Sequence, residues 1–298
     1  MSIEAASRRR ANFIGSLWMI MAMAAFAIED ALLKAVSDVV PVGQTLMFFG
    51  VGGSIVFAGW ALVRRDPLFR PEVLSRPMLF RVVFEILGRL FYILAITLTP
   101  LSSATVILQA TPIVVVAGAA LIFGEQVGWR RWLAIGVGLA GVFVIIQPGS
   151  NSFSVLSILA VLGMLGFAGR DLASRAAPSV LSTSILGLYG FLSVIAAGMI
   201  ILLWQGTELV APDPASTFYL TCAVLVGVIA YSGLMKAMRT GDVSAVTPFR
   251  YTRLLFGIGL GVMWFNETLS FSMMLGCGLI VASGLFILWR GQQVKDNS

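Results

Sequence analysis

Apolar runs long enough to cross a bilayer recur along the whole chain, and no other feature limits its fold as much. The stretch Trp132–Ile146, WLAIGVGLAGVFVII, contains no charged residue. A helix needs about 20 predominantly apolar residues to span the hydrocarbon. Such windows lie near 12–35, 42–63, 78–98, 102–122, 130–146, 153–174, 181–204, 216–236, 243–265 and 272–289. Composition agrees: 58% of the residues are hydrophobic, 11% are charged and the mean hydropathy is +0.95. An outer-membrane barrel would instead alternate apolar and polar residues over short segments. The expected fold is therefore an all-α integral membrane protein with ten transmembrane helices.

Arg8, Arg9 and Arg10 precede the first run, and MAMAAFA within it offers small residues at the spacing of a signal-peptide cleavage site. Glu29, Asp30 and Lys34 continue that run without a break, so a retained first helix is the better reading.

The chain has no histidine. That removes the commonest metal ligand and the commonest general base, and with them zinc proteases and Ser–His hydrolases. Cys222 and Cys277 both fall inside apolar windows, so neither a disulfide framework nor a metal knuckle is indicated. No Gly-x-x-x-x-Gly-Lys-Ser/Thr stretch occurs, which argues against ATP-driven transport. No catalytic residues, metal or cofactor are expected.

The basic residues are distributed unevenly. Arg8, Arg9, Arg10, Arg64, Arg65, Arg70, Arg76, Arg130, Arg131, Arg175, Lys236, Arg239, Arg290 and Lys295 fall in the terminal tails and in alternate loops. The loops near 36–41, 98–102, 147–152, 206–215 and 266–271 contain no Lys or Arg. By the positive-inside rule both termini face the cytoplasm, with tails at 1–11 and 290–298. The isoelectric point near 9.8 then follows from topology and requires no nucleic-acid partner.

The chain also repeats itself. Laid over 166–178 with a shift of 141, residues 25–37 place Phe26 on Phe167, Asp30 on Asp171 and Lys34 on Arg175. With a shift of 142, Ser102 falls on Ser244, Thr105 on Thr247, Glu125 on Glu267 and Gly136 on Gly278. The two halves are 12–146 and 153–289. Five crossings per half make the second copy enter from the opposite side, the inverted arrangement typical of alternating-access transporters.

The doubled five-helix half, the charged end of each first helix, LTPLSSATVILQATPIVVVAGAALIFGEQ and its echo DVSAVTPFRYTRLLFGIGLGVMWFNETLS together resemble EamA-type members of the drug/metabolite transporter superfamily. The resemblance covers nearly the whole chain. It implies two inverted EamA repeats around a central cavity lined by the first four helices of each half, with the fifth helices outside. Within the family the chain looks most like the YddG type of aromatic amino-acid exporter. It departs from internal symmetry where Tyr251 and Leu254 stand opposite Gln109 and Pro112.

Ionisable residues in lipid cost several kcal/mol each unless paired or hydrated. Glu85 and Arg89, spaced i,i+4, are read as an internal ion pair or, alternatively, as substrate contacts. Asp30 with Lys34, and Asp171 with Arg175, sit at opposite mouths if the halves are inverted. They are either equivalent parts of two gates, with Glu29 beside the first, or hydrated helix ends with snorkelling cations. Cavity candidates are Tyr92, Thr105, Gln109, Thr111, Phe167, Tyr231, Arg250 and Tyr251. Pro112 and Pro248 fall inside apolar windows and are read as hinges or static kinks.

The expected function is export of hydrophobic or aromatic amino acids and related small metabolites by alternating access. The alternative is a proton-coupled exporter of toxic cations or drugs, with Glu29, Asp30 or Asp171 taking up the proton. The expected location is the bacterial inner membrane, with lipid and a small-molecule substrate as partners. A monomer is the expected state, with a homodimer as the alternative.

Overall fold

The computed structural model describes residues 3–37, 39–98, 107–108, 110–146, 157–265, 271, 274–276, 278–279, 281–283 and 286. Every regular element among them is helical. The long helices are α1 (Ile3–Ser37), α2 (Val42–Val63), α3 (Arg76–Leu98), α4 (Thr111–Phe123), α5 (Trp129–Ile146), α6 (Ser157–Ala176), α7 (Thr183–Gln205), α8 (Pro214–Thr240) and α9 (Thr252–Phe265). By length and composition, four helical stretches can cross a membrane: Ala6–Leu33, Val42–Val63, Thr183–Gln205 and Pro214–Thr240. Helices α3 and α6 are of similar length but carry ionisable side chains.

The helix ends follow local chemistry. Ser182 caps α7 by accepting from the Ile185 amide at 3.2 Å, and Gly206 ends it with φ 60°. Asp213 caps α8 by accepting from the Ser216 amide at 2.8 Å, with Pro214 supplying the pre-set φ of the first turn. Hydrogen bonding to Ser216 holds the Asp213 carboxyl below the usual carboxylate range. Gly124, at φ 65°, ends α4.

Two segments differ from their windows. Helix α1 begins at Ile3, so the stretch expected as a tail is already helical there. The window 243–265 is broken into a helical turn at Val243–Val246, a 3-10 turn at Thr247–Tyr251 and then α9. Pro248 lies in the first positions of the 3-10 turn, where its missing N–H forbids a continuous α-helical ladder. Pro112 likewise sits in the first turn of α4 and not mid-helix, so the described helix is not kinked by it.

Three helix pairs dominate the packing: α1 with α8, α2 with α7 and α3 with α6. Each pair is antiparallel. On α1 and α8, Asn12 meets Gly241, Ala22 meets Gly233 and Val36 meets Leu220. On α3 and α6, Arg81 meets Ser174 at 3.0 Å, Gly88 meets Gly166, and Tyr92 meets Gly163. A Cβ on Gly166 would stand 2.5 Å from the Gly88 nitrogen, so these helices touch backbone to backbone. Small residues at such crossings let van der Waals packing replace the hydrophobic force that lipid removes.

The pattern maps onto itself when each helix is exchanged with the one five places away. The α1/α8 pair becomes α6/α3, and α2/α7 becomes α7/α2. The contacts α1 with α9 and α3 with α7 become α6 with α4 and α8 with α2, and all four occur. Arg175, in the last turn of α6, donates to the Met238 carbonyl near the end of α8, so α6 and α8 run together and α6 opposes α1.

At one end of the bundle Arg8 and Asn12 bind Asp242 at 2.9 and 3.0 Å. The Glu125 carboxylate accepts there from the Val243 and Ser244 amides at 2.9 and 3.1 Å, and Arg239 donates to the Leu181 carbonyl at 2.7 Å. At the other end Gln44 exchanges two hydrogen bonds with the Val210 backbone.

Candidate functional site

Between these ends, a connected set of charged side chains is buried where α3, α6, α8 and the broken ninth segment converge. Helix α3 supplies Arg81, Glu85 and Arg89 at i, i+4 and i+8, a spacing that keeps all three on neighbouring turns of one face. Glu85 is fully buried and is the hub. It accepts from the Tyr231 hydroxyl at 2.6 Å and from Arg170 Nη1 at 3.3 Å, and Arg89 Nε lies 3.6 Å away, an ion pair too long for a hydrogen bond. Arg81, also fully buried, donates to Ser174 at 3.0 Å, to the Leu186 carbonyl at 2.6 Å and to the Tyr231 hydroxyl at 2.8 Å.

Arg170 joins this hub to a second carboxylate, donating from Nε to Asp171 at 2.8 Å. Arg250, on the 3-10 turn, binds the other Asp171 oxygen. Nearer the surface Arg253 pairs with Asp30, through Nε at 3.0 Å and also through Nη2. The two repeat-related aspartates are thus held by two arginines of one segment. Buried charges persist only when partners replace the lost water, and most atoms here meet that condition. Glu29 Oε2, Arg81 Nη1 and Arg89 Nε are buried without a hydrogen-bond partner.

Aromatic rings line the same region. The Phe167 ring lies 5.9 Å from Tyr92, with the guanidinium groups of Arg170 at 5.1 Å and Arg89 at 5.9 Å. Arg253 stands 5.2 Å over Phe26, the repeat equivalent of Phe167. Among the described residues no group of His, Cys, Asp or Glu is arranged to hold a metal. Two outer grooves, of about 540 and 500 Å³, lie away from this network beside Pro41 and Trp204 and between α2 and α8.

The structure brings together Tyr92, Phe167, Tyr231, Arg250, Glu85, Arg89 and Asp171. Tyr231 is an interior strut between Arg81 and Glu85. Tyr251 lies elsewhere, buried against Gly138 and Leu139 of α5 with its hydroxyl 3.4 Å from the Ile135 carbonyl. The hydroxyl of Thr111 donates to the Leu108 carbonyl, a local bond at the start of α4. Thr105, Gln109 and the Lys34 side chain lie outside the described residues. The i,i+4 partner expected for Asp171 is not the one it has: Arg175 reaches the Met238 carbonyl at 3.3 Å, while Asp171 faces inward to Arg170 and Arg250. Asp30 likewise turns to Arg253. Sequence reasoning left Arg81 and Ser174 out of the site; for Arg81 the available signal was its position one turn before Glu85.

Apolar spans, paired halves and a buried polar core are features that membrane transporters share. The chain belongs to the EamA-like transporter family, whose model matches residues 13–147 and again 155–289. It is 25% identical to a riboflavin transporter of Rhizobium johnstonii, covering 92% of this chain and 91% of that one. It is 25% identical to an S-adenosylmethionine uptake transporter of Rickettsia prowazekii, over 95% of each. Identity with a pseudopaline exporter of Pseudomonas aeruginosa is 27%, over 85% of this chain and 88% of that one. A known crystal structure superposes with a TM-score of 0.79 at 19% identity, covering 97% of this chain and 100% of the other, which shows the shared fold. None of the three named relatives is an aromatic amino-acid exporter by name, so the narrower resemblance stands as a proposal.

Proposed function

We propose that the protein is a secondary transporter of the bacterial inner membrane that exports hydrophobic or aromatic amino acids and related small metabolites by alternating access. The observation that carries this reading is the exchange-symmetric, antiparallel packing of two halves around a buried polar core. Two equivalent packings of such halves would open the same midplane site to either side in turn. The same symmetry supports ten crossings in two inverted five-helix repeats. Arginines near the start of α1 and at the ends of α6 and α8 gather at one end of the bundle, which supports cytoplasmic termini.

The choice of an amino acid rests on chemistry. Its head group needs both an acceptor and a donor, and its apolar side chain needs rings; the Phe167 ring lies against Tyr92 and against the guanidinium of Arg89, whose buried Nε makes no hydrogen bond. A second reading, proton-coupled export of cations, is favoured by one observation: Asp30 and Asp171 are paired with arginines, whereas Glu29 keeps an oxygen without a partner.

The test is uptake of radiolabelled phenylalanine by liposomes holding the purified protein, with no ion gradient, with a proton gradient, and against empty liposomes. Saturable uptake without a gradient, competed by other apolar amino acids, is expected. Counts no higher than those of empty liposomes would remove the amino-acid reading, and flux of a lipophilic cation only under a proton gradient would establish the second.

A further inference from the structure

Around the core the helices sort into two groups that trade places under the internal symmetry. Helices α1 and α8 pack with the broken ninth segment, and their counterparts α6 and α3 pack together, with α4 against α6. Asn12 fastens the first group to itself: its side-chain amide donates to the Asp242 carboxylate at 3.0 Å and accepts from the Asp242 N–H at 2.7 Å. Arg170 with Glu85, and Arg81 with Ser174, do the same for the second. The seam therefore runs between these groups and not between the two halves of the sequence.

Glu125 crosses that seam at the end of the bundle that carries Arg8. Gly124, with φ 65°, ends α4, and the Glu125 N–H donates back to the Ala119 carbonyl at 3.4 Å, so the chain turns and carries the carboxylate to the ninth segment. There it accepts from the Val243 and Ser244 amides at 2.9 and 3.1 Å. These amides open a helical turn whose own N-cap residue, Asp242, makes no cap bond while its carboxylate binds Arg8 and Asn12. The first amides of a helix have no intrahelical acceptor and are costly to bury unpaired, and Val243 and Ser244 are fully buried. The turn thus takes its acceptor from the opposite group. Deeper in, Tyr231 with Glu85 and Arg250 with Asp171 bridge the same seam. Arg175 adds one longer bond, 3.3 Å to the Met238 carbonyl.

Behind the Glu125 cap the seam is closed: Thr247 is fully buried and the Arg250 side chain is 13% exposed. Further along the same segment Arg253 and its partner Asp30 are 33% and 54% exposed. An ion pair facing lipid is costly, so this one meets water, which enters from the end opposite Arg8.

We infer that Glu125 is the latch of the cytoplasmic gate: its carboxylate holds α4 to the start of the ninth segment in the state closed to the cytoplasm and must release both amides for that side to open. This rests on the alternating-access reading above and gives it a gating residue. A bond made in one state only biases the equilibrium between the two by its full worth, and a helix cap is worth about fivefold.

The experiment uses the full-length chain in membrane vesicles of both orientations, with Cys222 and Cys277 changed to Ser and Thr247→Cys as a reporter one turn behind the latch. Thr247 Oγ1 makes no hydrogen bond, so the exchange removes none. An impermeant methanethiosulfonate is added from one face at a time and the rate of modification is measured. From the face that carries Arg8, Glu125→Ala is expected to raise the rate about fivefold, and Glu125→Gln, whose side-chain oxygen still accepts from an amide, by less. Asn12→Ala removes hydrogen bonds to the same turn but within one group, so it is expected to lower the thermal unfolding midpoint in detergent and leave the rate unchanged. Should Glu125→Ala show no cooperative unfolding, Glu125→Gln decides. A rate unmoved by the Glu125 variants, or raised equally by Asn12→Ala, would show that Glu125 only caps a helix and would overturn the inference while leaving alternating access intact. Reaction from both faces at one rate in every variant would instead overturn alternating access, and the latch with it.

Discussion

At the scale of single residues, the fully buried Glu85 determines the charge balance of the core. Its hydrogen bond from Tyr231 and its contacts with Arg170 and Arg89 come from two other helices and its own. Tyr231→Phe deletes one hydroxyl that serves both Glu85 and Arg81. That should cost about 1–3 kcal/mol, read as a lower thermal unfolding midpoint in detergent. Glu85→Gln should cost more, about 3–5 kcal/mol, because it leaves buried guanidinium groups short of a counter-charge. The Glu85–Arg89 pair was legible in the sequence because i,i+4 spacing is a property of the helix alone. The Asp171–Arg250 pair was not, since the two residues are 79 positions apart and meet only after packing.

At the scale of elements, backbone contact sets how closely α3 and α6 approach. A side chain at Gly166 meets the Gly88 backbone, which cannot give way as a flexible side chain would, whereas a Cβ at Gly136 meets nothing within 4 Å. Gly166→Leu should therefore abolish the monodisperse peak in size-exclusion chromatography, and Gly136→Leu should leave it unchanged. The ninth segment shows a second rule. Its first turn is capped from the other half of the chain by Glu125, whose carboxylate accepts from two amides. Glu125→Ala should cost about 1 kcal/mol, as the loss of a helix cap does, measured by the same thermal midpoint. The apolar windows anticipated the existence of these helices well, with 42–63 matching α2 at both ends. They missed the break at Thr247–Tyr251, because hydropathy averages over residues and does not count missing N–H groups.

At the scale of the whole molecule, orientation is the open prediction. In a background with Cys222 and Cys277 changed to Ser, Pro67→Cys should react with an impermeant maleimide only when the cytoplasmic face is accessible. Glu208→Cys should react in intact spheroplasts. Labelling of both from the same side would refute the ten-crossing topology. What the sequence by itself determined is that the chain is helical, suited to lipid and internally doubled. Those properties are carried by consecutive residues or by a shift between two stretches, and no packing is needed to read them. Only the tertiary structure decided which cation meets which carboxylate, that Tyr251 leaves the core for α5 and that Glu29 Oε2 is buried without a hydrogen-bond partner. Each of these depends on how helices distant in the chain are rotated against one another, and burial then makes every mismatch of charge expensive enough to matter.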